Sequence, residues 1–436
     1  MPEKRDNFPK TGESGEESFD QKKALFYFEQ NLRGEQLIEI PQNPGCEIGI
    51  VVAAYGESPE RILAQVFSLA EQKGVTPEQF EVIYVVNNGK DDGSKSFKEV
   101  FELNQAVLRL PIWKNRDNLE FLKSFPEEKR DFLRTIRERF NFFAVDKSSP
   151  ETSISDCNVG KARNRGAAEE CKRFYEAGKN GILMQTDADV LFDYEQYLEK
   201  AVFLFRSEPT LIGVSGSVDY EFSPDNKEEL ESEEIKKEWQ DLVLLKASKR
   251  MSQFLQGQDK AEAQDFIGFG GANTLSRSYE TAVFGNMADR AAGEDTDFSR
   301  RIDNFARGRG KKILGLQDSF ILVSALRESG RTPVALKKFY GVTESGDKLV
   351  ENLLAPSFDW FRQNNPEYKN MDRDLVWKVY EEKYPPMPLR ELHKKLIEEC
   401  GKTEAGQKLL RGLYEKIPKQ FRDPTGENDF SFLKEI

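Results

Sequence analysis

Two aspartates one residue apart, Asp187 and Asp189, stand near the end of the run "GILMQTDADVLF" at residues 181–192. The apolar residues before them predict a short buried strand. In open parallel sheets, ligands bind outside the carboxyl ends of the strands. Along an extended chain, two residues separated by one point to the same side. Paired hard oxygen ligands suit a divalent metal, Mg²⁺ or Mn²⁺, with a phosphate-bearing substrate. The same spacing recurs at 295/297 and 372/374, but only 187/189 follows an apolar run. Capping of the next helix by either acid is the competing structural reading.

Three further groups have side chains suited to such a site. "VVNNGKDDGS" puts Asn87, Asn88 and Asp92 at the end of another predicted strand, where amides can read the edge of a nucleobase or simply form an Asn-Gly turn. "NVGKARNRG" puts Lys161, Arg163 and Arg165 at the start of a predicted helix. The helix dipole disfavours cations there, so three of them suggest a shared anion such as diphosphate, or else a solvated basic turn. "AAGEDTDFSRR" places Glu294, Asp295 and Asp297 at one more loop-to-helix junction, where carboxylates either join the site or are favoured simply as acids in a first helical turn.

These groups need a frame, and the periodicity supplies one. "EIGIVVAAY" reads as a buried strand. "SPERILAQVFSLAEQKG" reads as a helix with Ser58 as N-cap, Pro59 at the first position and Gly74 as stop. "FEVIYVVNN" is a second strand, and strand–helix–strand at this spacing predicts a parallel sheet. "AVLRL" is expected as a strand and residues 119–143 as helix. Further on, "VGKARNRGAAEECKRFYEAG", "YEQYLEKAVFLF" and "GEDTDFSRRIDNFARG" read as helices, and "TLIGVSGSV", "FGGANTLSR", "KKILGL" and "FILVSAL" as strands. The domain reading is a polar extension over 1–45 with one helix, an α/β domain over 46–332 with a helical insert at 226–256, and a helical C-terminal extension over 333–436.

Composition excludes several function classes. A net charge of −12 argues against a general nucleic-acid binder, whose affinity would rest on neutralising phosphates. No run approaches the roughly 20 apolar residues of a membrane span, and the charged N-terminus lacks a signal-peptide core. The expectation is a cytoplasmic protein, with peripheral membrane contact left open. The 4 cysteines form no CxxC pair and read as reduced thiols. The single histidine, His393, lies in "LRELHKKLIEE" and is expected on a surface helix. The chemistry is therefore expected to run on carboxylates, Arg and Lys.

In this order, "IGIVVAAYGESPERILAQVFSLAEQ", "EVIYVVNNGKDDGS", "VGKARNRGAA", "MQTDADV" and "GEDTDFSRRI" resemble the nucleotide-sugar glycosyltransferases of the GT-A fold, most of all the large family 2 group. The resemblance runs from about residue 47 to 330, and no single motif carries it. It implies a Rossmann-like α/β fold with a mostly parallel sheet flanked by helices. It also implies a nucleotide-diphospho-sugar donor, an acceptor hydroxyl on a saccharide or small molecule, and a Mn²⁺ or Mg²⁺ cofactor. The DxD motif falls on Asp187 and Asp189, which bind the metal and the donor, with Asp189 the direct metal ligand and Asp187 beside it. The donor site falls on Ala54, Tyr55, Glu57, Asn87, Asn88, Lys161, Arg163 and Asn164. The ED motif falls on Glu294 and Asp295, with Asp295 the base of an inverting reaction; a retaining outcome stays open, since GT-A folds host both. The family commonly has Asp where this chain has Asn87 and Asn88, and the third-ligand histidine of some GT-A members has no counterpart here. The alternatives are a nucleotidyltransferase that makes nucleotide sugars, which would usually carry a glycine-rich loop after the first strand, or a non-catalytic GT-A-like sugar-binding scaffold.

Overall fold

The computed structural model describes residues 19–416 except 90–92, 117–118, 155–158, 193, 223–240, 242–243, 246, 249, 253, 256–272, 287–293, 316–321, 328–348, 351 and 357. The chain divides into two compact units, Met1–Glu221 with Phe266–Leu326, and Phe222–Asp265 with Arg327–Ile436.

The first unit is built on strands β1 (Ile48–Ala54), β2 (Phe80–Asn87), β3 (Asn141–Lys147), β4 (Ile182–Asp187), β5 (Val190–Leu191), β6 (Leu211–Ser215), β7 (Ser217–Phe222), β8 (Thr274–Arg277), β9 (Lys312–Gly315) and β10 (Leu322–Arg327). Seven of them form one sheet in the order β3-β2-β1-β4-β8-β6-β9. β8 runs antiparallel to both neighbours, and the other pairings are parallel. β5, β10 and β7 make a separate three-stranded sheet. The helices beside the main sheet include α1 (Phe19–Leu32), α2 (Pro59–Ala70), α3 (Lys95–Leu108), α4 (Leu119–Leu122), α5 (Glu127–Arg139), α6 (Val159–Glu176) and α7 (Tyr197–Ser207). The protein is thus an α/β fold of the Rossmann-like kind, with a mostly parallel sheet flanked by helices.

Both faces of the sheet are buried, as a parallel sheet requires. Ile48, Ile50, Val52, Val82 and Tyr84 pack with Ile62, Val66 and Leu69 of α2. Val51 and Leu183 pack on the other face with Ala167, Ala168 and Cys171 of α6 and with α1. α6 approaches so closely that a Cβ on Gly166 would lie 2.4 Å from the Val51 side chain. Ser58 caps α2 by accepting from the Arg61 amide at 3.3 Å, with Pro59 opening the helix as expected.

Two local expectations are corrected. Ala106–Leu108 of "AVLRL" belongs to α3, because Asn104, Val107 and Leu108 continue the buried face of that helix at helical spacing. The helix expected over 119–143 is two helices separated at Pro126, and Asn141–Lys147 is the edge strand β3, paired parallel with β2.

In the second unit, Leu349–Val350 pairs antiparallel with Met387–Pro388. Helices Phe358–Asn364, Arg373–Lys383, Leu389–Gly401 and Glu404–Lys416 follow, with a core of Phe358, Phe361, Val376 and Tyr380. Asp372 of the third Asp-x-Asp caps Arg373–Lys383 from the exposed surface. His393 is not a surface residue. It lies with Leu389, Leu392, Leu396 and Cys400 on the buried face of its helix, 2 % exposed, and its Nδ1 is 2.8 Å from the Ser248 hydroxyl. Its flanking charges hide the fact that it holds a position on the apolar stripe. Among the described residues no helix is long and apolar enough to cross a membrane.

Candidate functional site

The carboxyl ends of β1, β2, β3 and β4 share one edge of the sheet, since Ala53 pairs with Asp187 and with Val85, and Val85 with Val145. β4 ends at Asp187. Ala188 and Asp189 then make a turn into β5, so the two acids are not successive same-side positions of one strand, as expected, but a strand end and a turn. Asp187 is partly exposed and ion-paired with Arg163 of α6, whose guanidinium is buried. Asp189 is buried.

The basic segment splits by destination. Arg163 turns to the end of β4. Arg165, two residues on, is committed elsewhere: it donates to Glu35 at 3.2 Å, to Glu169 at 2.9 Å and to the Gln36 carbonyl at 2.9 Å, and so ties α6 to the chain after α1. Its side-chain nitrogens are engaged there and not at the end of β4, where Arg163 is, so the structure does not bring these two arginines to one point. Lys161 is half-buried, and Asn164 is buried, its carbonyl accepting from Tyr27 at 3.5 Å.

At the ends of β1 and β2, Asn87 donates to the Ala54 carbonyl at 2.9 Å and locks the two strand termini together. Asn88 is 1 % exposed, and its side-chain nitrogen has no acceptor among the described residues. Tyr55 is exposed at the rim, whereas Glu57 is buried beside Arg61 at 3.3 Å. Gly56 has φ 65, which lets the loop turn tightly there.

Asn104 of α3 was not singled out by the sequence, yet it joins three strand ends. It accepts from the Gly56 amide at 2.9 Å and donates to the Asn87 carbonyl at 2.9 Å and to Ser148 Oγ at 3.1 Å. Beside it, burial pushes the Asp146 carboxyl up. The Ser148 and Ser149 amides, the Ser149 hydroxyl and Arg116 outweigh this and hold it below the usual carboxylate range.

Glu294 and Asp295 open the helix Glu294–Arg309, and their side chains lie outside the described residues. Asp92 lies outside them too. The helix is nonetheless fixed to β4. Arg301 donates to the carbonyls of Phe284, at 3.0 Å, Gly285, at 2.8 Å, and Asn286, and its Nε bonds Asp297 at 2.7 Å. Asn286 in turn exchanges two hydrogen bonds with Gln185, at 2.8 and 3.0 Å, two residues before Asp187.

A second acidic cluster, Cys46, Glu81 and Glu170, has its ligand atoms within 4.8 Å of one another. It lies at the other end of the sheet, because Glu81 pairs with Gly49, four residues or about 13 Å along β1 from Ala53. Arg173 occupies both Glu81 oxygens, at 2.7 and 2.8 Å, and Gln42 donates to Glu81 and Glu170 at 2.9 Å each. Burial, and then the neighbouring Glu81 charge, push the Glu170 carboxyl well up. Glu81 is thus already compensated by a guanidinium of the chain itself, and the cluster stands apart from the strand ends where the metal is expected.

No family model and no curated protein matches the chain. Among solved structures, the mannosyltransferase PcManGT from Pyrobaculum calidifontis, in complex with GDP-Man and Mn²⁺, is similar over 95% of this chain and 94% of that one, at 13% identity and a TM-score of 0.39. S. aureus TarS is similar over 79% and 82%, at 12% identity and a TM-score of 0.32. A mycobacterial protein is similar over 72% and 82%, at 14% identity and a TM-score of 0.34. Likenesses of this strength carry no argument about the chemistry of this chain, which rests on its own residues.

Proposed function

We propose that the chain is a metal-dependent glycosyltransferase of the GT-A kind, moving a sugar from a nucleotide-diphospho-sugar donor to an acceptor hydroxyl. The observation that carries this reading is the strand-end pair Asp187 and Asp189 with the Arg163 guanidinium on Asp187. That arrangement sets a cation and carboxylates at one sheet edge, as a metal diphosphate requires.

The residues fit a divalent cation: Asp189, a hard oxygen donor, would hold it, with Asp187 beside it. Bound there, Mn²⁺ or Mg²⁺ would supply Lewis-acid stabilisation of the leaving diphosphate. Arg163 binds the diphosphate oxygens by charge-assisted hydrogen bonds, with Lys161 and Asn164 on the same helix. Asn88 donates its side-chain N–H to the nucleoside, a role supported by a buried donor with no acceptor among the described residues. Ala54, Tyr55, Glu57 and Asn87 line the remaining strand ends. Asp295 accepts the proton of the acceptor hydroxyl as the new glycosidic bond forms, beside Glu294, with inversion at the sugar carbon.

The test is release of nucleoside diphosphate from a panel of nucleotide sugars, with and without Mn²⁺, by the full chain and by Asp189→Asn. Metal-dependent release lost in the variant supports the reading. Pyrophosphate release from a nucleoside triphosphate and a sugar phosphate would point to a nucleotidyltransferase instead. Sugar binding without turnover would point to a scaffold.

A further inference from the structure

α2 carries a polar residue where its pattern calls for an apolar one. Ile62, Val66 and Leu69 form its buried stripe, and Gln65 sits among them with no exposed surface. A buried amide is tolerated at such a position only where its hydrogen bonds are made. Those of Gln65 are made at both ends. Its Nε2 donates to the carbonyls of Asp187 at 2.7 Å and Val190 at 2.8 Å, the two residues that bracket Ala188 and Asp189. Its Oε1 accepts from the Tyr84 hydroxyl at 2.7 Å. The orientation is unambiguous, since a flipped amide would set its oxygen against two carbonyl oxygens. Burial pushes the Tyr84 phenol well above its ordinary range, so it remains a donor at any working pH.

The same helix face continues along the chain that follows. Ser68 Oγ accepts from the Phe192 amide at 3.2 Å. Gln72 donates to the carbonyls of Phe192 at 3.0 Å and Tyr194 at 3.1 Å, and accepts from the Leu198 amide at 3.1 Å. Gln65 differs from Gln72 in one respect: the turn it closes is the one that holds the aspartate pair.

We propose that Gln65, oriented by Tyr84, is the positioning residue of the aspartate pair, fixing the turn so that Asp187 and Asp189 present their carboxylates together to a divalent cation. This rests on reading the pair as the cation and diphosphate site. Holding both carbonyls of the bracket sets the spacing of the two side chains without any contact to ligand, as outer partners do for metal ligands elsewhere.

The experiment is Mn²⁺ titration of the full chain, following free Mn²⁺ by electron paramagnetic resonance, with a melting curve for each variant. Gln65→Met keeps the volume and removes all three hydrogen bonds. Tyr84→Phe removes one oxygen and decides the matter if Gln65→Met does not fold. Gln72→Met is the control for a general loosening of the 187–198 segment, and Asp189→Asn tests the cation site itself. The expected result is Mn²⁺ affinity about 10–100-fold weaker in Gln65→Met. Tyr84→Phe should shift the same way by a smaller factor, and Gln72→Met should keep wild-type affinity while melting lower. Wild-type affinity in Gln65→Met and Tyr84→Phe, with binding lost in Asp189→Asn, would overturn the positioning role and leave the cation site standing. An equal loss in Gln72→Met would overturn it too, because affinity would then track segment stability alone. Unchanged binding in Asp189→Asn would remove the cation reading, and this inference with it.

Discussion

Arg163 and Asp187, 24 residues apart in sequence, meet as an ion pair where α6 reaches the end of β4. Asp187 is partly exposed at the strand end, and Asp189 lies buried in the turn beyond it. Under the proposed function, a metal diphosphate at this edge would meet a carboxylate for its cation and an arginine for its oxygens.

Substituting Arg163 should separate the cation from the anion. In Arg163→Ala, Mn²⁺ alone should bind at least as tightly as to wild type, since a positive charge beside Asp187 is removed. Nucleoside diphosphate in the presence of Mn²⁺ should bind about 10–100-fold more weakly, the weight of a charge-assisted hydrogen bond of roughly 1.5–3 kcal/mol. Calorimetric titrations with Mn²⁺ and then with GDP or UDP measure both. Unaltered nucleotide affinity would leave Arg163 a structural partner of Asp187.

Asp295→Asn discriminates a base from a structural acid. Asp295 lies in the first turn of the helix Glu294–Arg309. A first-turn acid with only a structural role acts through the helix dipole, so that role predicts an unchanged rate and a stability loss of no more than about 0.3–1 kcal/mol. A proton-accepting role predicts transfer reduced by about 10²–10⁴-fold at saturating donor, with the melting temperature and nucleotide affinity retained. Near wild-type turnover in a folded variant would move the base role away from Asp295.

The frame was legible because periodicity reports burial: the alternation of strands and helices around Asp187, the Ser58 cap and the helix over 159–176 follow from local pattern alone. What local pattern does not carry is the choice of partner. Arg163 and Arg165 look equivalent in sequence, and only the fold sends one to Asp187 and the other to Glu35. Gln65 reaches a carbonyl 122 residues away, and Gln185 an amide 101 away. Gln65 did leave a signal, a lone polar residue on an apolar stripe, as did His393. The grouping of 222–265 with 327–436 in one unit depends on long-range packing that no local pattern encodes.

His393 sets an acid limit on the second unit. Burial holds its imidazole below the ordinary value of 6.5, at about 4, against a smaller opposing effect of a hydrogen bond with the Leu244 backbone. The imidazole is therefore neutral in the folded protein at neutral pH, packed beside Ser248 at 2.8 Å. A folded value below the unfolded one means that the unfolded chain takes up the proton first as pH falls. The stabilisation is complete above about 6.5 and is lost as pH drops through the window down to about 4. A shift of this size corresponds to stability on the order of 3 kcal/mol. Asn at this position is neutral throughout and keeps a polar group toward Ser248, although its smaller volume lowers stability at every pH. Urea unfolding at pH 8, 6 and 4.5 should thus show wild type losing more stability on acidification than His393→Asn, with the gap between the two narrowing by up to that amount. Curves that fall in parallel would show that the His393 proton is not what acid adds to the unfolded state.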